Sequence, residues 1–128
     1  MKNLTATICL TITLLLGSVG ASWSADWDKG VTAYKSGDYA TALREWKPLA
    51  EQGNARAQNN LGVIYNNGWG VLLDFVRAHM WFNIAAISGE SKKASKNRDL
   101  VAKRMNSNQI ETAQKLAREC VRKKYKGC

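Results

Sequence analysis

The sequence predicts an all-α fold, built as a solenoid of stacked helix pairs. Apolar residues recur at helical spacing, strand-like alternation is missing, and proline occurs once, at Pro48. Two successive segments also repeat the same order of Gly, Tyr, Gly, Ala, Trp and Gly with a period in the thirties. A repeat of that length made of two helices is typical of an α-solenoid.

The first predicted helix covers residues 26–36 and ends at "SGDY". There Gly37 can adopt left-handed backbone angles and Asp38 can cap the next helix. The second helix covers residues 39–51, and Pro48 near its end is expected to kink it. The apolar face of this second helix consists of Ala42, Leu43, Trp46 and Leu49.

Four more helices follow, predicted over residues 55–66, 74–88, 91–105 and 109–124. Asn108, with a glutamate three residues further on, fits a capping box at the start of the last one. The fourth helix is expected to bury one side, formed by Phe75, Ala78, Trp81, Phe82 and Ala85.

The glycines of the third helix and of the turn after it have a predicted packing role. Glycine costs a helix interior about 1 kcal/mol relative to alanine. We therefore expect Gly62 to permit a close approach of the partner helix, with Tyr65 and Trp81 filling the space beside it. Gly68 and Gly70 are expected to supply the backbone angles of the following turn.

The N-terminal segment, residues 1–25, has the build of a cleaved secretory signal peptide. Lys2 precedes the apolar run "LTATICLTITLLLG", and small residues then offer cleavage after Ala21 or Ala25. The alternative is an anchor in the inner membrane, although the run is short of the roughly 20 apolar residues that a span needs. We expect an exported, periplasmic protein.

Two cysteines remain after cleavage, Cys120 and Cys128. An even pair in an exported protein predicts a disulfide, and two free thiols are the alternative. The short loop that it would close gives a stabilisation of about 2.5 kcal/mol.

The net charge of +9 lies entirely in the last third of the chain. Residues 1–90 hold seven Lys/Arg and seven Asp/Glu, whereas residues 91–128 hold twelve and three. The twelve cations are Lys92, Lys93, Lys96, Arg98, Lys103 and Arg104 on one predicted helix, and Lys115, Arg118, Arg122, Lys123, Lys124 and Lys126 on or after the next. They would attract an anionic lipid or wall polymer, and solubility alone is the alternative. Outside the cytoplasm no nucleic acid is expected.

The residues offer little for catalysis. His79 is the single histidine, which excludes a metal cluster or a dyad that needs two. The "GWG" loop lacks the Lys and Ser/Thr of a phosphate-binding loop. We expect no enzymatic activity, no metal site and no cofactor.

The segment that begins "AQNNLGVIYNNGWG" resembles the sel-1-like repeat, a relative of the tetratricopeptide repeat. The matching positions are Ala57, Leu61, Gly62, Tyr65, Gly68, Gly70, Val71, Asp74, Ala78, Trp81, Ala85, Ala86 and Gly89. Residues 54–90 are similar to a full unit, and residues 26–53 to a degenerate leading unit in which Gly30 precedes Tyr34 by four residues instead of three. Residues 91–128 match poorly and look like a basic helical pair that caps the array.

The resemblance implies a right-handed superhelix of about three antiparallel helix pairs that binds proteins or peptides as an adaptor or scaffold. The residues expected to pack the repeats are Tyr34, Trp46, Leu61, Gly62, Tyr65, Gly68, Gly70, Ala78, Trp81 and Ala85. In such arrays the first helix of each pair lines a concave groove. Candidates for partner contact on the third helix are Arg56, Asn59, Val63 and Asn66, and an ordinary solvated face is the alternative.

The turn after the third helix departs from the family pattern. Leu72 and Leu73 stand where polar residues or proline are usual, and Trp69 lies in the turn. Trp69 either folds back on the helices or anchors a partner, since tryptophan is enriched at binding hot spots. Leu72 is a further candidate because exposed leucines can mark an interface. The oligomeric state and the identity of the partner stay open.

Overall fold

The computed structural model describes residues 25–128, so nearly all of the predicted signal peptide lies outside the described residues. Within this range the chain forms six α-helices and no strand, and none of these helices has the length and apolarity to cross a membrane. The helices are α1 (Trp27–Ser36), α2 (Tyr39–Glu51), α3 (Ala55–Asn67), α4 (Phe75–Ile87), α5 (Lys92–Ala102) and α6 (Ser107–Arg122). The predicted all-α class is confirmed.

Each helix begins where a short polar side chain can accept hydrogen bonds from the first turn. The N-cap residues are Asp26, Asp38, Asn54, Asp74, Ser91 and Asn106. The predicted capping box at Asn108 is wrong. Asn106 accepts from the Gln109 backbone N–H at 2.8 Å, and the Gln109 side chain accepts from the Asn106 backbone N–H at 3.0 Å. This reciprocal pair starts α6 two residues earlier than expected.

The turn between α3 and α4 requires glycine at two positions. Gly68 and Gly70 have φ angles of 65° and 71°, in the left-handed region that side chains resist. A Cβ atom at Gly70 would also lie 3.1 Å from Cβ of Tyr39, because this turn packs against the start of α2.

The first two hairpins share one packing device. In α1–α2, Gly30 lies directly beneath the ring of Trp46, and in α3–α4, Gly62 lies beneath the ring of Phe82. A Cβ atom at Gly62 would stand 2.5 Å from Cδ1 and Cε1 of Phe82, so the contact exists only with glycine. The expected close approach at Gly62 is therefore present, but the ring over it belongs to Phe82. Trp81, the residue expected there, points into the main core instead.

The helix α4 is the centre of the molecule. It contacts α3, α5 and α6, and it buries seven of its residues, Ala78, His79, Met80, Trp81, Phe82, Ile84 and Ala85. Four of the five residues expected on its buried side are among these seven, and the other three are buried as well because the helix is apolar almost all round.

The last two helices do not form a third hairpin. Both α5 and α6 pack against α4, and α5 also touches α3, whereas contacts between α5 and α6 are sparse. Their buried positions are small or narrow: Ala94 and Val101 on α5, and Ala113, Ala117 and Cys120 on α6. These two helices therefore lie on different faces of α4.

The chain end returns to the first half of the molecule. Cys120 forms a disulfide with Cys128, as predicted, and Cys120 is only 1% exposed. The ring of Tyr125 packs against the main core and over Gly53, in the turn between α2 and α3. The C-terminal turn therefore attaches the end of α6 to the turn between α2 and α3.

Candidate functional site

A groove of about 440 Å³ lies between α3 and α5. We call it the α3–α5 groove. It is lined by Val63, Asn66 and Asn67 of α3, Phe82 of α4, and Asn97, Leu100, Val101 and Arg104 of α5 and the turn that follows it.

The floor of the groove is apolar and fixed. Phe82 and Val101 are each 2% exposed and pack in one cluster with Ala78, and Val63 covers them from α3. The glycine at position 62 places the Phe82 ring this close to α3. The hairpin contact and the shape of the groove thus depend on the same residue.

The rim carries amides. Asn67 donates to the Val63 carbonyl at 2.8 Å, and Asn97 donates to the Asn59 side-chain oxygen at 3.1 Å. Asn66, which is half-buried, lies beside them on the rim. Amides that both donate and accept suit the backbone of an extended peptide.

One cation and no carboxylate line the groove. The Arg104 guanidinium lies 5.5 Å from the centre of the Phe75 ring, which restricts its position. Leu100 is 50% exposed and offers an apolar contact beside it. The groove therefore combines an apolar floor, an amide rim and one positive charge.

The four residues of α3 that were predicted to contact a partner lie in different environments, because α5 packs against part of α3. Asn66 lies on the rim and Val63 at the floor. Asn59 was expected to face a partner, but it is 9% exposed and hydrogen-bonded to Asn97, so it holds α5 against α3. Arg56 is exposed and lies over the Trp27 ring, 4.9 Å from its centre. It is therefore remote from the groove residues that α5 contributes.

Trp69 folds back on the helices. Its ring stacks on Tyr39 with the centres 4.9 Å apart, and it meets Tyr34 edge-on at 5.8 Å. Leu72 has no such cover, with 90% of its surface exposed, and Leu73 is 55% exposed. Trp69 therefore packs the turn, and the two leucines stand outside it.

Eight of the ten residues expected to pack the repeats lie in the interior or at its edge, and Gly68 and Gly70 lie in the turn after α3. Trp46, Leu61, Gly62, Ala78, Trp81 and Ala85 are buried, and Tyr34 and Tyr65 are half-buried against the main core. Tyr65 also contacts the cluster under the groove.

His79 is a titratable group in the interior of the fold. His79 is buried under α5, and its Nδ1 atom has no hydrogen-bond partner. Burial, with the nearby Arg98 charge, lowers the pKa of His79 below 6.5. Residues 25–128 contain no cluster of three His, Cys, Asp or Glu side chains that could hold a metal ion.

The residues of the groove that sequence reasoning missed are Asn67, Asn97, Leu100, Val101 and Arg104. Those from Asn97 onward recur at the three- and four-residue spacing of one helix face, along α5 and the turn after it. That pattern was visible, but the sequence did not indicate that this face meets α3.

Comparison with known proteins adds no identification. No protein-family model matches the chain, and neither the curated proteins nor the solved structures contain a significant match.

Proposed function

We propose that this protein is an exported, non-enzymatic adaptor that holds an extended segment of a protein partner in the α3–α5 groove. The observation that carries the proposal is the groove itself, with an amide rim above an apolar floor. Peptide backbones need donors and acceptors along their length, and a floor of Phe82 and Val101 gives a side chain of the ligand a place to bury.

We further propose that the fold is a short right-handed superhelix of the sel-1-like type. The repeated glycine–aromatic contact, Gly30 with Trp46 and Gly62 with Phe82, supports two structurally equivalent units. In that arrangement α3 is the first helix of the second unit, and α5 lies beside it, without a hairpin partner, on the concave side that first helices line. The α3–α5 groove would then be the binding surface that the resemblance implies.

An exported location is consistent with the bridge between Cys120 and Cys128, because disulfides persist in oxidising compartments. The partner's identity is left to experiment.

The test is selection of peptides from a random displayed library on the wild-type protein, followed by mapping with nuclear magnetic resonance. We expect a selected peptide to shift the amide signals of Asn66, Leu100 and Arg104. Substitution Leu100→Glu should weaken binding at least about tenfold, because it places a carboxylate and removes an apolar contact in the groove. Leu73→Glu is the matched control, since Leu73 is 55% exposed but lies outside the groove. Shifts confined to other surfaces, or equal losses in both variants, would refute the proposal.

A further inference from the structure

The twelve cations of the C-terminal third do not form one surface. Because α5 and α6 lie on different faces of α4 and hardly touch, their charges are separated. On α5, Arg98 pairs with Asp99 at 3.1 Å and bonds to Asn83 at 3.3 Å, and Arg104 lies over Phe75. Part of the α5 charge is therefore used inside the fold or at the groove.

The charge of α6 is not used in this way. Ala113, Ala117 and Cys120 face the core, which turns the stripe of Lys115, Arg118 and Arg122 outward. Lys123, Lys124 and Lys126 extend it past the helix end, and all six cations are exposed. Among residues 25–128, none of the six forms an ion pair with a carboxylate.

The end of this array is held in a fixed shape. Lys124 and Tyr125 have φ angles of 53° and 66°, a left-handed conformation that side chains adopt at a cost. The turn is retained by the bridge from Cys120 to Cys128, by the bond from the Tyr125 backbone N–H to the Cys120 carbonyl at 2.8 Å, and by the Tyr125 ring on the core. A tail that served only solubility would need no such attachment.

We propose that this basic face, made of Lys115, Arg118, Arg122, Lys123, Lys124 and Lys126, docks the protein on an anionic lipid bilayer. Charge complementarity with phosphate head groups carries the proposal. Val121 and Leu116, which are 38% and 37% exposed, lie between the stripe and the buried side of α6. The face is separate from the α3–α5 groove, so a partner and a membrane could be bound together.

The test is flotation of the full chain with vesicles of phosphatidylglycerol and phosphatidylcholine, against vesicles of phosphatidylcholine alone. The triple variant Lys115→Gln/Arg118→Gln/Arg122→Gln should reduce partition at least about tenfold, since each cation near such a surface contributes to binding. Its matched control is Lys92→Gln/Lys93→Gln/Lys96→Gln, which removes the same charge from exposed positions of α5 and should reduce partition less than about threefold. Wild-type partition should collapse in concentrated salt.

Four results would overturn the proposal: no flotation with the anionic vesicles, equal flotation with neutral ones, equal losses in the two triple variants, or tighter binding to polyglutamate than to the anionic vesicles. The urea midpoint of each variant checks folding, because these exposed residues should change it little. Leu100→Glu should leave flotation unchanged, which separates this proposal from the groove proposal.

Discussion

In α1–α2 and α3–α4 a glycine of the first helix lies under an aromatic ring of the second, whereas α5 and α6 contain no such pair. The two C-terminal helices pack on α4 through alanines, a valine and a cysteine. Glycine beneath a ring interlocks two helices at one depth and one register, because any larger residue would collide. The small residues that α5 and α6 present to α4 leave less to fix the positions of these two helices.

Charge follows the same division. The half that contains the interlocked hairpins is electrically balanced, and the half that lies on α4 holds the whole excess of +9. Specific attachments then hold the C-terminal helices in place. The Asn59–Asn97 hydrogen bond fixes α5 and the disulfide-bonded turn fixes α6. The first half is therefore positioned by shape and the second by a few polar or covalent links.

The largest expected effect breaks the interlocked half. Substitution Gly62→Val should lower the free energy of unfolding by about 3 kcal/mol. Overpacking of this kind typically costs about 1–3 kcal/mol, and valine would place its Cβ atom and two methyl groups in the space that the Phe82 ring occupies. Urea unfolding followed by circular dichroism measures the loss. If the variant is too unstable to isolate, Gly62→Ala supplies the milder test.

A mutant cycle identifies the collision. Gly62→Ala and Phe82→Leu should each destabilise the protein, and the double variant should lose less than the sum, since the shorter side chain relieves the contact. Lys35→Ala, at an exposed position of α1, should change stability by less than about 0.5 kcal/mol. Strictly additive losses would mean that the glycine has no role in the contact.

The next effect concerns the covalent link of the second half. Cys128→Ser should lower the free energy of unfolding by about 2.5 kcal/mol, the value expected for a loop of this length. The buried Cys120 is kept in this variant, so the loss reports the bridge and not a cavity. Wild-type protein in a thiol reductant should unfold at the same urea concentration as the variant. A wild-type midpoint that reductant leaves unchanged would contradict the assignment.

The sequence predicted the parts of the fold that local rules control. Helical spacing and short polar caps located the six helices to within about three residues at most ends, and two cysteines with one plausible partner each predicted the bridge. The capping box of α6 was misplaced because two asparagines, Asn106 and Asn108, compete for the same role within one turn. The local sequence does not distinguish the two asparagines. The start of α6 is set by the positions at which Ala113 and Ala117 are buried.

The positions of α5 and α6 on α4 could not be predicted in this way. Repeat logic placed them as a hairpin, but that logic compares each unit with its neighbour and residues 91–128 match poorly. The composition of α4 held an unused signal, since a helix that is apolar all round needs neighbours on several faces. For the same reason only part of the groove was predicted. Val63 and Asn66 were found from the pattern of α3 alone, whereas Asn97, Leu100 and Arg104 could be assigned only once the position of α5 was known.

A smaller loss of stability is expected when the hydrogen bond that attaches α5 to α3 is removed. Asn59→Ala should cost about 1 kcal/mol or somewhat more, because it leaves the Asn97 amide without its partner in a half-buried contact. Asn97→Ala in the same background should add little. Asn67→Ala is the matched control, as its side chain bonds only the local Val63 carbonyl, and it should change stability by less than about 0.5 kcal/mol. Equal losses of stability in the Asn59 and Asn67 variants would contradict a stabilising role for the Asn59–Asn97 hydrogen bond between α3 and α5.

The smallest expected effect is a dependence of stability on pH that comes from His79 of α4. The pKa of His79 is lowered below 6.5 in the folded protein, chiefly by burial. As the pH falls, His79 is therefore protonated in the unfolded chain at a higher pH than in the folded protein. The stability that neutral His79 contributes is present above pH 6.5 and declines as the pH falls below that value. We expect the urea midpoint to fall between about pH 7.5 and about pH 5.5, and His79→Leu to remove that dependence.

Glu45, in the interlocked half, provides the contrast within the same titration. Its carboxylate accepts the Asp26 backbone N–H at 3.0 Å and pairs with Lys29 at 3.4 Å, and this hydrogen bond, followed by the nearby cations, lowers the pKa of Glu45 below 4.5. A lowered carboxyl pKa stabilises the fold above the unfolded value and is lost only as the pH falls through the folded value. Glu45→Gln should therefore keep the dependence between about pH 7.5 and about pH 5.5 and weaken the one below pH 4.5. If Glu45→Gln instead removed the change near neutrality, the assignment of that acid sensitivity to His79, at the contact between α4 and α5, would be wrong.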